Sequence, residues 1–237
     1  MQQIPNYGDK RQTAWCVHCG GSQKDSRDHV PSKVLLDEPY PYNLPVVDIC
    51  PACNQGFSED EEYLACFLEC VVCGTTDPEK LERQNIRRIL QRSPKLRIRI
   101  EKSKRTDLAT NNEHRMVWVP EDERVRNVFL KLARGHALSE LNEPMFDEPA
   151  NISIIPLVLM DDVDRKRFEG LSGDFELAGW PEVGCRAMQR LITGEDLEDG
   201  WVVVQPGRYR FQTIADGAVK IKIVLREYLG IEIVWTP

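Results

Sequence analysis

The sequence predicts an α+β protein, and three observations carry that prediction. The first third is irregular and holds two Cys-x-x-Cys pairs, the middle shows helical periodicity, and the last third alternates apolar and polar residues between turn signals. With 237 residues and 41% hydrophobic content the chain can bury a sizeable core. No run approaches the roughly 20 apolar residues that span a bilayer. The polar start MQQIPNYGDK lacks the basic and apolar regions of a signal peptide, so the expectation is a cytoplasmic protein with no membrane association.

Residues 11–44 are rich in Gly, Pro, Asp and Ser, which suits a small metal-held unit better than long elements. Ser58 and Glu61 read as an S-x-x-E capping box. Tyr63, Leu64, Phe67, Leu68 and Val71 then recur at helical spacing up to Gly74, although Pro51 and Asn54 allow an earlier start. A second helix is expected from Pro78 to Gln91, stopped by Ser93-Pro94. Lys95 to Ile100 alternates charged and apolar residues as a half-buried strand does, with Arg115 to Val119 as its partner. Glu121 to Leu141 reads as a third helix with Val125, Val128, Phe129, Leu132 and Ala133 on one face. Beyond the Pro144 to Pro149 linker come five strands: Ile152 to Leu159, Trp201 to Gln205, Tyr209 to Ile214, Val219 to Leu225 and Ile231 to Trp235. Turns are expected at Gln205-Pro206-Gly207, Asp216-Gly217 and Leu229-Gly230. These signals divide the chain into 1–76, 77–144 and a strand-rich 145–237, the last an antiparallel region.

Cys16, Cys19, Cys50 and Cys53 make C-x2-C, 30 intervening residues, then C-x2-C. Four thiolates saturate a tetrahedral zinc ion and leave no position for substrate, so the expected Zn2+ is structural. Cys70-Val71-Val72-Cys73 repeats the pattern and is a possible competitor. Cys66, Cys70 and Cys73 nevertheless fall at the spacing of one helix face, which favours core packing. His18 lies within a knuckle and could replace a cysteine ligand, but four thiolates suffice and it is expected at the surface; His114 and His136 have no partner motif and read as surface or boundary residues. Glu59, Asp60, Glu61 and Glu62 sit in a first helical turn, where the macrodipole favours carboxylates; the alternative is that one of them assists a bound metal.

Charge is uneven. Residues 1–79 hold 5 basic and 13 acidic side chains, residues 80–105 hold 11 and 2, and residues 106–237 hold 15 and 23. The basic island contains Lys80, Arg83, Arg87, Arg88 and Arg92 on the expected second helix, then Arg97 and Arg99 on the expected strand. Arginine forks match phosphate oxygens, so these seven are the candidate nucleic-acid-binding residues despite a net charge of −7. Arg208 and Arg210 alternate with Tyr209 and Phe211 and read as an ordinary exposed strand face.

Between the cysteine pairs lie Asp28-His29-Val30-Pro31 and Asn43-Leu44-Pro45, and Asn54 follows the second pair at once. This order, over about 50 residues, resembles the HNH, or ββα-metal, endonuclease family. The resemblance implies a zinc-stapled nuclease unit within 1–76 that hydrolyses phosphodiester bonds of nucleic acid, with DNA the expected substrate. His29 would be the general base, since an imidazole titrates near neutrality. Asp28 and Asn54 would hold a catalytic Mg2+ or Mn2+, the metals suited to hard oxygen ligands, and Asn43 would fix the His29 ring. With Asn in both the second and third motif positions, the sequence is strictly an His-Asn-Asn variant. The whole chain is also similar to bacterial HNH endonucleases, some found among phage-defence genes.

Two other readings stand beside that one. A non-catalytic, zinc-stabilised module could recognise nucleic acid or protein with the same scaffold, though it would not need Asp28, His29 and Asn54 together. The acidic tail from about Glu148 could instead dock a protein partner, mediate homo-oligomerisation or cover the basic island.

Overall fold

A computed structural model describes residues 13–108, 114–170 and 184–237. The polar start up to residue 12, most of the polar loop before His114 and the His114 side chain lie outside the described residues. Two short strands open the chain. Strand β1 (Ser26–His29) pairs antiparallel with β2 (Val46–Ile49), with Asp28 opposite Val47 and His29 opposite Val46. Helix α1 (Pro51–Gly56) follows at once, started by Cys50, whose sulfur accepts the Cys53 N–H, and by Pro51 in the first turn. Helix α2 (Ser58–Cys73) ends at Gly74 in the left-handed conformation. The S-x-x-E pair does not cap it: Ser58 Oγ donates to the Gln55 carbonyl, and Glu61 turns elsewhere.

Beyond α2, the expected second helix is divided. A 3-10 turn (Pro78–Lys80) precedes α3 (Gln84–Arg92), and the break is held by Glu69, whose Oε1 accepts the N–H groups of Glu82 and Arg83 at 2.9 and 2.7 Å. Lys95 to Ile100 is not a strand. It lies in α4 (Pro94–Glu101), begun by Pro94 in the first turn and Ser93, whose hydroxyl accepts the Leu96 N–H. Only Ile100 of that segment is fully buried, so its alternation reflects exposed cations on a helix. The partner of Arg115 to Val119 is therefore different: β3 (Lys104–Leu108) pairs with β4 (His114–Trp118).

Helix α5 (Asp122–His136) runs on into a π-turn (Ala137–Leu141). It is the axle of the molecule. Val125, Val128, Phe129, Leu132 and Ala133 face the main core, while Lys131, Arg134, Gly135 and Leu138 repeat one and two turns apart toward the cysteine-bearing unit. A Cβ at Gly135 would lie 2.8 Å from a Val30 methyl, so glycine lets α5 approach the chain beside His29.

The remaining elements are β5 (Asn151–Pro156), α6 (Asp162–Glu169), α7 (Arg186–Thr193), β6 (Leu197–Glu198), β7 (Trp201–Gln205), β8 (Tyr209–Ala215), β9 (Val219–Leu225) and β10 (Leu229–Trp235). The six strands form one antiparallel sheet in the order β5-β10-β9-β8-β7-β6. Tyr209, Phe211, Ile221, Ile223, Ile231 and Ile233 face the main core, which also takes residues from α2 to α5 and so runs through all three segments of the chain. On the other face Trp201 and Val224 meet Leu157 and Phe168 under α6. The expected turn at Leu229-Gly230 lies three residues earlier, at Arg226 and Glu227, both with positive φ. Gly230 is inside β10, where a Cβ would lie 2.5 Å from Leu157 Cδ2.

His136 is not a surface residue. It is 1% exposed, stacked on Phe211, with Nε2 2.7 Å from the Tyr209 hydroxyl. Burial, reinforced by Arg190 and Arg186, pushes its pKa down to about 3. The unfolded chain therefore binds the extra proton first, and stability contributed by the neutral ring is full above pH 6.5 and lost as pH falls toward 3. Replacing His136 with Gln should flatten the acid limb of a stability-pH curve by about 1.4 kcal/mol per pH unit between roughly pH 6 and 4. Denaturant melts of wild type and variant across that range measure the difference, and parallel curves would contradict it.

Candidate metal centre and adjoining polar site

The two Cys-x-x-Cys pairs converge because β1 and β2 close a hairpin between them and α1 starts directly from the second. The four sulfurs of Cys16, Cys19, Cys50 and Cys53 lie within 4.8 Å of one another, with Cys19 and Cys50 sulfurs 3.9 Å apart. A tetrahedron with metal–sulfur bonds of about 2.3 Å has edges of about 3.8 Å, so the cluster can hold a metal such as zinc. Burial raises the Cys16 pKa, but backbone hydrogen bonds from Cys19, Cys50 and His18 outweigh it and bring the value down to about 7, while burial and the neighbouring sulfurs push the Cys53 thiol the other way. Gly20 takes φ +67 after the first pair.

Cys66 and Cys70 are fully buried in the main core, and burial pushes the Cys70 thiol up to about 12. They belong to the apolar face of α2, with Cys73 at the core's edge. His18 is half-buried rather than freely exposed. Its ring meets Phe57 edge-on and its Nδ1 lies 3.2 Å from an Arg134 nitrogen, and burial, with help from Arg134 and Lys131, lowers its pKa to about 4. Arg134 further donates to the carbonyls of His18, Phe146 and Asp147, tying the first knuckle to α5.

Asp28, His29 and Asn54 are brought onto this one small unit. His29 ends β1. Its pKa is lowered by burial first and by the Lys33 charge second, which favours the neutral ring, and its buried Nδ1 has no hydrogen-bond partner among the described residues. Asn43 lies in the loop before β2 and makes no bond to that nitrogen. Asn54 on α1 donates from Nδ2 to Ser26 Oγ at 2.6 Å. Ser26 and Asp28 are two apart on β1 and so share a face, which sets Asn54 on the face of Asp28.

Asp28 itself is ion-paired. Lys131 Nζ lies 2.9 Å from its Oδ2, 2.5 Å from Glu61 Oε1 and 3.1 Å from Ser32 Oγ, and it sits over the Phe57 ring. The Lys131 side chain is 3% exposed, against 16% for Asp28 and 14% for Glu61. All three ammonium protons have an acceptor. Burial still raises the Asp28 pKa, with Lys131 pulling against it. Nothing in the sequence near Asp28 foretells Lys131, 103 positions away on a helix whose periodicity announces only a core; the sole available signal is a lysine inside an otherwise apolar face.

The basic island is split by the fold. Arg83 is turned inward, donating to the Val34 and Leu36 carbonyls and pairing with Asp37, and Arg87 Nε donates to the Leu81 carbonyl. Arg99 pairs with Glu121 at 2.7 Å, and exposed Lys80 lies 3.8 Å from Asp77. Arg88, Arg92 and Arg97 are exposed. Open grooves flank α4, one lined by Arg97, Ile98 and Lys104 together with Asp77 and Glu101, the other by Lys95, Ile98, Arg99 and Lys102 together with Glu121; Lys104 is paired with Glu101. Arg208 and Arg210 are not an ordinary exposed face: Arg208 pairs with Asp37 at 2.6 Å, and Arg210 bridges Glu169 and Glu227 above the Trp201 ring.

Among the described residues no helix is long and apolar enough to cross a membrane. No family model, curated protein or solved structure matches the chain.

Proposed function

We propose that the cysteine-stapled hairpin and α1 form an HNH-type, or ββα-metal, unit that hydrolyses phosphodiester bonds of nucleic acid, DNA by preference. The observation that carries this reading is the placement of Asp28, His29 and Asn54 on a strand-strand-helix unit closed by four cysteines, with Asn54 bonded back to the Asp28 face of β1. Zinc would hold the four sulfurs and take no part in the chemistry.

In this reading His29 takes the proton of the attacking water, and its depressed pKa keeps the ring in the base form at neutral pH. Asp28 and Asn54 offer oxygen donors of the kind Mg2+ and Mn2+ prefer, and Glu61 adds a second carboxylate through its shared contact with Lys131. A divalent cation held there would neutralise charge at the scissile phosphate and stabilise the departing oxygen. The exposed Arg88, Arg92 and Arg97, with the cations flanking α4, would hold the phosphate backbone; Arg83 and Arg87 are committed internally.

A second reading has a specific observation in its favour. Lys131 neutralises Asp28, as expected of a structural scaffold that binds nucleic acid or protein without cutting it. Cleavage of plasmid and of single- and double-stranded oligonucleotides in Mg2+ or Mn2+ separates the two. Wild type should cut, and His29→Ala should be slower by about 10²- to 10⁴-fold while melting normally. Folded, zinc-loaded wild type that cuts neither DNA nor RNA would leave the binding module.

A further inference from the structure

The ammonium of Lys131 stands where a cation bound to Asp28 would stand. Two carboxylates from separate elements, Asp28 on β1 and Glu61 on α2, converge on it, and Ser32 supplies a third oxygen. Their oxygens are of the type that surrounds a hard divalent ion. The residue that brings the positive charge comes from a third element, α5, held close by Gly135 against Val30 and by Arg134 on the first knuckle. With Lys131 present the two carboxylates and one ammonium sum to −1; without it they would sum to −2 in a largely buried place.

We propose that Lys131 is a built-in competitor at this site and sets its affinity for divalent cations: a metal ion binds Asp28 and Glu61 only as the ammonium withdraws. This rests on reading Asp28 as a cation ligand, and it adds Glu61 to the ligand set. Because the competing charge is part of the chain, its effective concentration does not fall on dilution. The site therefore binds metal weakly while the Lys131 ammonium occupies it.

The test uses zinc-loaded full-length protein and Mn2+ as the probe, with no nucleic acid present, so its outcome is independent of whether the protein cleaves anything. Free Mn2+ measured by electron paramagnetic resonance should give Lys131→Met an affinity at least about tenfold above wild type, about 1.4 kcal/mol. The gain should vanish in Lys131→Met/Glu61→Gln. A folded Lys131→Met that binds Mn2+ no tighter than wild type overturns the proposal.

Should Lys131→Met fail to fold, wild type decides. Its ¹⁵Nζ spectrum should contain a slowly exchanging lysine ammonium signal, identified by its absence in Lys131→Arg, that disappears as Mg2+ is added. Survival of that signal at every Mg2+ concentration the folded protein tolerates overturns the proposal equally.

Discussion

Stripping the metal from the four-cysteine cluster, by a strong chelator or by Cys50→Ser, is expected to unfold the first 40 or so described residues and take the polar site with them. The reason is the poverty of that unit without its staple. It has two four-residue strands, one six-residue helix and a satellite core of eight buried side chains, one of which, Leu138, is lent by the π-turn after α5 and two of which, Cys16 and Cys50, belong to the candidate metal cluster. Structural zinc supplies apparent binding energy on the order of 10 kcal/mol, as large as the whole stability of an ordinary domain. Metal analysis should return one ion per chain, and the chelated protein should lose the native circular-dichroism signal of the N-terminal unit. Cys70→Ala should keep the full metal content, since Cys70 packs in the core and not at the cluster. A chelated protein with an unchanged melt would refute the staple.

Replacing Asp37 with Asn is expected to destabilise the protein by about 3 kcal/mol, the low end for breaking a buried ion pair because Asp37 is partly exposed. Asp37 is the joint between the cysteine-bearing unit and the C-terminal sheet. Its carboxylate meets Arg83 at 3.3 Å, Arg208 at 2.6 Å and Arg226 at 3.0 Å, while both polar atoms of the Gln205 side chain clasp its backbone. Asn at this position leaves three guanidinium groups facing one another with no counter-charge. Arg226 is also held at φ +54 in the β9–β10 turn, a conformation unfavourable for a side-chain residue and sustained by what its side chain gains. For a chain of this size the loss corresponds to a fall in Tm of about 6–12 °C. Calorimetry of Asp37→Asn beside Asp48→Asn, a partly exposed carboxylate paired with Lys24, tests it; equal shifts would mean that the three arginines do not depend on Asp37.

Lys95 to Ile100 shows the two-residue alternation of a strand but folds as a helix, because a six-residue window cannot outweigh Ser93 and Pro94, which form a helix start. Val219 to Leu225 and Trp201 to Gln205 were legible to the residue, since a sheet packed on one or both faces writes its register directly into the chain. His136, read as a surface or boundary residue, is enclosed by Tyr209 and Phe211, and His18, read as exposed, is half-buried beside Arg134; in both cases the partners lie far away in the chain.

The sequence by itself determined the α+β class, the C-terminal antiparallel sheet, the four-cysteine cluster and the helical burial of Cys66 and Cys70. Each rests on neighbours in the chain or on a fixed spacing, and local geometry suffices for those. The tertiary structure alone decided which charges are spent. It turned Arg83 and Arg87 inward, left Arg88, Arg92 and Arg97 outward, assembled three arginines on Asp37 and set Lys131 against Asp28 and Glu61. A charged side chain finds its partner through space, and the strength of that pairing depends on how far both ends are removed from water, which no local pattern of residues records.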